Sequence, residues 1–145
     1  MKKIFIAFSC LALLFTSCKK DKDENPAVTT ENIAGTYTLG TVTIKTGAAA
    51  EEDYTNAYYD EACKRDDRIV LNANGTSVYD DAGVKCDPAG DDTGTWALTS
   101  NNTRINFDST DELSILSFDG RVLKISETDN STGISITITV TLNKQ

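Results

Sequence analysis

The side chains of this sequence that could perform catalysis are its carboxylates, because the 145 residues include no histidine. Histidine is the commonest general base, and many serine and cysteine nucleophiles depend on its imidazole. Carboxylate pairs such as Asp66-Asp67 or Asp111-Glu112 could in principle serve as acid and base. Adjacent residues of a strand point to opposite faces, so neither pair converges, and we expect these side chains to be solvated. The sequence therefore predicts no catalytic residues and a protein that is not an enzyme.

An acid-rich loop at residues 80–92 is the best candidate for a metal site. Its aspartates offer the hard oxygen ligands that calcium prefers. Their spacing does not match the calcium loop of helix–loop–helix proteins, and Gly83, Pro88 and Gly90 indicate ordinary turns. With no histidine, zinc is also disfavoured. We therefore expect no metal and no other cofactor.

Three tyrosines lie at near-helical spacing in the segment 51–65: Tyr54, Tyr58 and Tyr59. We predict that this segment is a short helix or an ordered loop that covers one end of the fold. Aromatic rings with polar tips suit contact with a ligand. The tyrosines therefore either rim a binding mouth or form the packed face of a helix.

The first 17 residues have the pattern of a secretion signal, with Lys2 and Lys3 followed by an apolar run at residues 4–15. About 12 apolar residues are too few for a membrane span, which needs ~20. The ending Phe15-Thr16-Ser17-Cys18 resembles a bacterial lipobox. This resemblance implies that Cys18 is acylated and becomes the mature N-terminus. The alternative is a soluble secreted protein that is cut elsewhere.

Residues 18–31 are polar and contain Pro26, so we predict a flexible tether between the lipidated Cys18 and the domain. Lys22-Asp23-Glu24 looks like the export signal of some Bacteroidetes lipoproteins, or it is an ordinary solvated linker. We expect an outer-membrane lipoprotein that is either periplasmic or exposed at the cell surface.

Cys63 and Cys86 remain for the folded part once Cys10 leaves with the signal and Cys18 carries lipid. A pair of cysteines in an oxidising compartment predicts a disulfide. Asn74-Gly75 predicts a two-residue hairpin turn, and both cysteines lie at similar distances beyond the open end of that hairpin. A free thiol pair or a metal site is the alternative.

Residues 32–145 are rich in threonine, isoleucine and valine, with turn residues at short intervals, which predicts an all-β domain. We predict eight strands, at residues 35–45, 68–72, 76–80, 94–98, 104–107, 113–118, 121–128 and 134–142. Most are joined by hairpins, so an antiparallel up-and-down barrel is the natural closure, and a sandwich is the alternative. A bulge at Gly40 would keep the apolar residues on both sides of it facing inward.

The interior of such a barrel is either filled by side chains or open to one small ligand. Bulky aliphatic residues and short strands favour a filled interior, with Trp96 as a core plug near the barrel floor. The predicted inward residues are Tyr37, Leu39, Val42, Ile44, Ile69, Leu71, Val78, Trp96, Leu98, Ile105, Phe107, Ile125, Ile134, Ile136 and Ile138.

Several short motifs together resemble the lipocalin-like domain family of Bacteroidetes lipoproteins. They are Ile33-Ala34-Gly35-Thr36-Tyr37, Cys63 followed by Asp66-Asp67, Leu71-Asn72-Ala73-Asn74-Gly75-Thr76, Lys85-Cys86-Asp87 and Gly94-Thr95-Trp96-Ala97-Leu98. The resemblance covers residues 31–143 and departs at Tyr37, where relatives favour tryptophan. It implies an eight-stranded barrel that can enclose an apolar lumen, in a family whose members mostly lack an assigned function.

The net charge of −8 becomes −10 once the signal, with two lysines and no acid, is removed. Such a charge argues against nucleic acid as a partner. We expect a monomer that reaches the membrane through its lipid and holds a small hydrophobic or amphipathic ligand in or at the barrel mouth. The candidate ligand-binding residues are Tyr37, Tyr54, Tyr58, Tyr59, Trp96 and Phe107. The alternative is an acidic protein-interaction module, an inhibitor or accessory subunit, with a filled barrel.

Overall fold

The computed structural model describes residues 25–145. The secretion signal, Cys10, Cys18 and the first part of the tether lie outside the described residues. The helices are α1 (Thr30–Ile33), α2 (Thr55–Tyr58) and a 3₁₀ helix (Ala62–Arg65). The strands are β1 (Gly35–Thr46), β2 (Glu52–Asp53), β3 (Arg68–Leu71), β4 (Thr76–Asp80), β5 (Asp92–Thr99), β6 (Arg104–Phe107), β7 (Asp111–Phe118), β8 (Val122–Asp129) and β9 (Ile136–Lys144). None of the helices in this part of the chain has the length and apolar character needed to cross a membrane.

Eight antiparallel strands form a closed barrel. Strands β3 to β9 pair in chain order, and β1 pairs with both β3 and β9, which closes the sheet on itself. The short β2 adds to β1 through the pair Ile44 and Glu52 and lies outside the ring. The predicted up-and-down barrel is therefore confirmed, as is a short helix after the first strand, and the sandwich is wrong.

The predicted bulge in β1 is also confirmed. The register of β1 against β9 shifts between the pairs Leu39–Leu142 and Val42–Val140. A Cβ atom on Gly40 would lie 2.6 Å from the carbonyl oxygen of Thr141, so only glycine fits at this position. The extra residue lets both Leu39 and Val42 face the interior, although they differ in strand parity.

The hairpin between β3 and β4 has a different register from the one predicted. Leu71 pairs with Ser77 and Val70 with Val78, so three residues, not two, make the turn. Gly75 has φ +85°, and its N–H donates to the carbonyl of Asn72, as in a turn that ends in a left-handed glycine. Because a one-residue shift exchanges the two faces of a strand, Ser77 and Tyr79 rather than Val78 lie opposite Leu71 and Ile69, although Val78 is half-buried and also lines the cavity described below.

The barrel floor is a dense apolar cluster at the end where β1 begins. Its buried members are Ile33, Tyr37, Leu71, Trp96, Ile105, Phe118, Leu123, Ile125 and Leu142. Helix α1 covers this end, and the hydroxyl of Tyr37 donates to the carbonyl of Ile33. The indole N–H of Trp96 donates to the carbonyl of Asn72 at 2.9 Å, so its one polar atom is satisfied. Trp96 therefore packs as the predicted plug of the floor.

Two predictions at the edges of the domain differ from the structure. Val28 packs against the floor cluster and α1 begins at Thr30, so ordered contacts begin within the predicted tether, because this segment carries one apolar side chain that the floor can bury. At the other end, Ile134 lies before β9 and is 55 % exposed, so its prediction as an inward residue is wrong. The turn that ends with Gly133 holds it outside the sheet.

Candidate ligand cavity

A cavity of about 510 Å³ occupies the barrel above the floor. Because neighbouring strands are antiparallel, β1, β4, β6 and β8 end at one rim of the barrel, where β3, β5, β7 and β9 begin. The cavity lies toward this rim, which we call the mouth. The expectation that side chains fill the interior is therefore wrong, because some positions of the cavity lining carry small residues, such as Ser77 and Gly94.

Aliphatic and aromatic side chains form the deep wall of the cavity. Ile125 and Leu142 belong both to the floor cluster and to this wall, so they mark its base. The wall residues are Leu39, Ile69, Phe107, Leu113, Ile125, Val140 and Leu142. A smaller cavity of about 70 Å³ adjoins it and shares Leu113, Ile125 and Val140. Such a wall cannot replace the water that a polar ligand loses on entry, so it favours an apolar ligand.

Tyr58 and Tyr59 bring the α2 segment over the mouth. Their rings meet edge to face with centroids 5.1 Å apart, a favourable aromatic geometry. Tyr59 is only 5 % exposed, and its hydroxyl has no hydrogen-bond partner among the described residues. Burial, with a smaller effect of Tyr58, raises the pKa of Tyr59 to about 12. The wall of the cavity therefore holds a neutral hydroxyl that is closed off from water and that no polar group of the described residues satisfies.

Tyr79 lines the same cavity because of the shifted β3–β4 register, which turns it inward opposite Ile69. Burial raises the pKa of Tyr79, and the Asp67 carboxylate raises it further. Asp67 is 1 % exposed and accepts a hydrogen bond from the N–H of Ala82 at 3.1 Å. The expectation that Asp67 is solvated is therefore wrong, because this carboxylate joins the start of β3 to the loop that follows β4.

Three carboxylates and one ammonium line the cavity. Asp92 begins β5, Asp108 follows β6, and Glu127 lies near the end of β8 at an inward position opposite Ile138. Asp108 accepts a hydrogen bond from the N–H of Thr95 at 2.7 Å. The ammonium group of Lys64 lies 3.0 Å from an Asp60 oxygen and 3.7 Å from a Glu61 oxygen. The polar part of the cavity is therefore predominantly acidic.

A disulfide joins the two loops that border the mouth. Cys63 in the 3₁₀ helix is bonded to Cys86 in the β4–β5 loop, with Cα atoms 5.3 Å apart, which confirms the predicted pairing. Asp81, 3 % exposed, accepts hydrogen bonds from the N–H groups of Cys86 at 3.2 Å and Gly90 at 3.0 Å. These bonds lower the pKa of the Asp81 carboxyl. The acid-rich loop thus uses an aspartate to fix its own backbone.

Two groups of side chains in the described part of the chain have the spacing of metal ligands. One is Glu61, Cys63 and Cys86, and the other is Asp67, Asp81 and Cys86. Both depend on cysteine sulfurs that the disulfide has consumed, and a metal needs the thiolate. Asp81 is also engaged with backbone N–H groups. Neither group supports a metal centre.

The six predicted ligand-binding residues divide between the cavity and the rest of the barrel. Tyr58, Tyr59 and Phe107 line the cavity. Tyr37 and Trp96 lie in the floor. Tyr54 is half-buried outside the cavity lining, and its N–H donates to the carbonyl of Val42 at 2.8 Å.

Sequence reasoning missed Tyr79 and the three cavity carboxylates. Glu127 shares the strand parity of Leu123 and Ile125, and this pattern could have placed it in the lumen. Asp92 was missed because β5 begins two residues before the predicted strand.

The barrel, its apolar floor and its open mouth define a β-barrel of the type that encloses small molecules. The model of the lipocalin-like domain family matches residues 33–142, and the chain belongs to this family. No curated protein and no solved structure matches the chain significantly. The lipocalin-like fold is typically that of a binding protein rather than an enzyme.

Proposed function

We propose that this protein is a lipid-anchored binding protein of the cell envelope that holds a small hydrophobic or amphipathic molecule in the mouth of its barrel. The observation that carries the proposal is the cavity of about 510 Å³, with an apolar wall and a few polar groups near the opening. Its volume lies within the range of small-molecule sites, roughly 300–1,000 Å³. No catalytic step forms part of the proposal.

The anchor rests on the sequence pattern around Cys18, which combines a secretion signal with a lipobox-like ending. Acylation at Cys18 would place the barrel beyond a polar tether at the outer membrane, in the periplasm or at the cell surface. The alternative of an acidic interaction module assumed a filled barrel, and the open cavity removes that premise.

Ligand binding is tested by fluorescence titration with the neutral probe N-phenyl-1-naphthylamine. Every residue of the floor cluster and its packed neighbours lies within residues 28–142, so a chain of residues 19–145 retains the complete barrel. We expect saturable binding at one site per chain. Leu113→Trp narrows the cavity and is expected to weaken binding several-fold, whereas Leu116→Trp, on the same strand at a 56 % exposed position, should leave binding unchanged.

Circular dichroism and thermal melting establish that both variants fold, and Leu113→Phe is a smaller replacement if the tryptophan is not tolerated. Probe binding that is absent from the parent chain, or equal in the folded Leu113→Trp and Leu116→Trp variants, would overturn the proposed function.

The anchor is tested on the full chain in cells that carry out bacterial lipoprotein processing. Metabolic labelling with a fatty acid is expected to mark the protein, and Cys18→Ser is expected to abolish the label, while Cys10→Ser leaves it unchanged. Protease added to intact cells then distinguishes surface exposure from a periplasmic location. Labelling that persists in Cys18→Ser contradicts the lipid anchor.

A further inference from the structure

We infer that the cavity takes a cationic amphiphile, with its apolar body against the barrel wall and a protonated amine at the mouth. This inference rests on the proposed function and specifies the chemical class of the ligand. Three features of the cavity support this inference: the charge of its polar groups, an unpaired hydroxyl, and the apolar side chains at its bottom.

The charge of the cavity lining selects for a cation. Asp92, Asp108 and Glu127 contribute carboxylates from three different strands or strand ends. The ion pairs found among residues 25–145 do not include any of these three side chains. A ligand ammonium at the mouth would therefore meet carboxylates that are in no ion pair within residues 25–145, and an anionic head would be repelled.

Lys64 does not provide an alternative site for an anionic head. Its ammonium group is bound by Asp60 at 3.0 Å and lies within 3.7 Å of Glu61. An incoming carboxylate would have to displace these two acids and approach the three cavity carboxylates. Lys64, the cation that residues 25–145 contribute to the lining, is thus already neutralised.

The Tyr59 hydroxyl is the second feature that indicates a ligand. It is buried in the cavity wall with no partner among the described residues, and such a group costs free energy in the empty protein. A phenol oxygen accepts a hydrogen bond, and an ammonium group has three donors. This oxygen is closed off in the unliganded structure, so a small movement of the ring toward the cavity is part of the inference. A protonated amine would then satisfy the oxygen and bind a carboxylate at the same time.

The apolar side chains at the bottom of the cavity explain why the ligand should have an apolar body. Ile125, Leu142 and Phe107 bound the space beneath the polar mouth. Because the carboxylates lie at the mouth and the apolar side chains lie deeper, the cavity matches a molecule with one charged end and one apolar end. A polar cation without a hydrocarbon body would leave this surface exposed to water.

The experiment compares three probes with the same hydrocarbon chain: dodecylamine, dodecanol and dodecanoate. Each is titrated by calorimetry, below its micelle concentration, into the chain of residues 19–145. We expect dodecylamine to bind about tenfold more tightly than dodecanoate, since two carboxylates each add a few-fold to such a pairing. The difference should shrink at high salt.

Two sets of variants connect this preference to the named groups. Asp92→Asn combined with Glu127→Gln is expected to bring dodecylamine and dodecanoate to within about threefold of each other. Glu31→Gln, an exposed carboxylate at the floor end, is the matched control and should leave the preference intact. Tyr59→Phe should weaken dodecylamine binding several-fold, whereas Tyr54→Phe, outside the lining, should not.

The outcomes separate this inference from the proposed function. Equal binding of the three probes, tighter binding of dodecanoate, or a preference that survives in the double variant would overturn the cationic amphiphile while ligand binding stands. No binding of any probe, together with no binding of N-phenyl-1-naphthylamine, would overturn the proposed function itself.

Discussion

At the scale of single residues, the polar groups of the mouth serve two different purposes. Asp67 and Asp81 are buried and accept hydrogen bonds from backbone N–H groups, so they hold the β4–β5 loop in place. Tyr59 is equally buried but has no partner among the described residues. The first two residues contribute to the fold, and the third leaves a polar group for a ligand.

Tyr59→Phe should stabilise the unliganded barrel. The substitution removes a buried hydroxyl without a partner and keeps the ring against Tyr58, so we expect the free energy of unfolding to rise by about 1 kcal/mol. Chemical denaturation of the ligand-free protein measures this change, with Tyr54→Phe as the control. A loss of stability would mean that the hydroxyl already has a partner, such as an ordered water.

Asp81→Asn should make the barrel less stable near neutral pH and remove part of its pH dependence. Hydrogen bonds from Gly90 and Cys86 lower the pKa of Asp81 in the folded state, so the ionised carboxylate stabilises the fold above the pKa of the unfolded chain. This contribution disappears as the pH falls through the lowered value.

The measurement is the melting temperature of the parent and of Asp81→Asn from neutral to acid pH. The two curves should converge as the pH falls, while Glu31→Gln follows the parent throughout. A difference that is constant over the whole pH range would show that the charge of Asp81 is not what stabilises the loop.

At the scale of elements, the order and extent of the strands were predictable because they depend on side-chain alternation and turn residues within short stretches of sequence. Alternation of aliphatic and hydroxyl side chains located β9, and turn residues located the hairpins. The bulge was predictable because Leu39 and Val42 differ in parity with a glycine between them. These features depend on near neighbours in the sequence.

The cavity was not predictable in the same way, because it depends on register and on the ends of strands. Asn74-Gly75 fits both a two-residue and a three-residue turn, and the choice decides whether Val78 or Ser77 lies opposite Leu71. Whether the wall side chains meet at the centre depends on barrel geometry, which residue types alone do not reveal. Half of the predicted ligand residues consequently lie outside the cavity lining.

The disulfide is the connection between elements that we expect to matter most for the mouth. It joins the 3₁₀ helix to the β4–β5 loop across 23 residues of sequence. Replacing Cys63 and Cys86 together by serine should lower the free energy of unfolding by about 3 kcal/mol, since the unfolded chain regains loop entropy. Urea denaturation of the double variant measures this loss.

The same variant should also weaken the binding of N-phenyl-1-naphthylamine, because Tyr58, Tyr59 and Lys64 are then less firmly held over the cavity. Reduction of the parent protein is the matched control and should reproduce both effects. Unchanged stability and unchanged binding would show that the remaining contacts of these loops are sufficient.

At the scale of the whole molecule, the barrel has a closed end and an open end. The floor buries its largest side chains around Trp96 and is covered by α1. The mouth has more polar lining residues, such as Tyr79 and Glu127, and the disulfide-linked loops border it. The described N-terminal residues enter the barrel at the floor end through α1, away from the mouth.

We propose that the lumen is an open site for an apolar ligand. The most direct measurement is a methyl-detected nuclear magnetic resonance titration of residues 19–145 with dodecanol, which carries no charge. We predict saturable shifts for the methyl groups of Leu113, Ile125 and Val140, which line the cavity, and none for the exposed Val84 and Leu116. Shifts confined to the exposed methyl groups, or no saturable shift at all, would contradict the account.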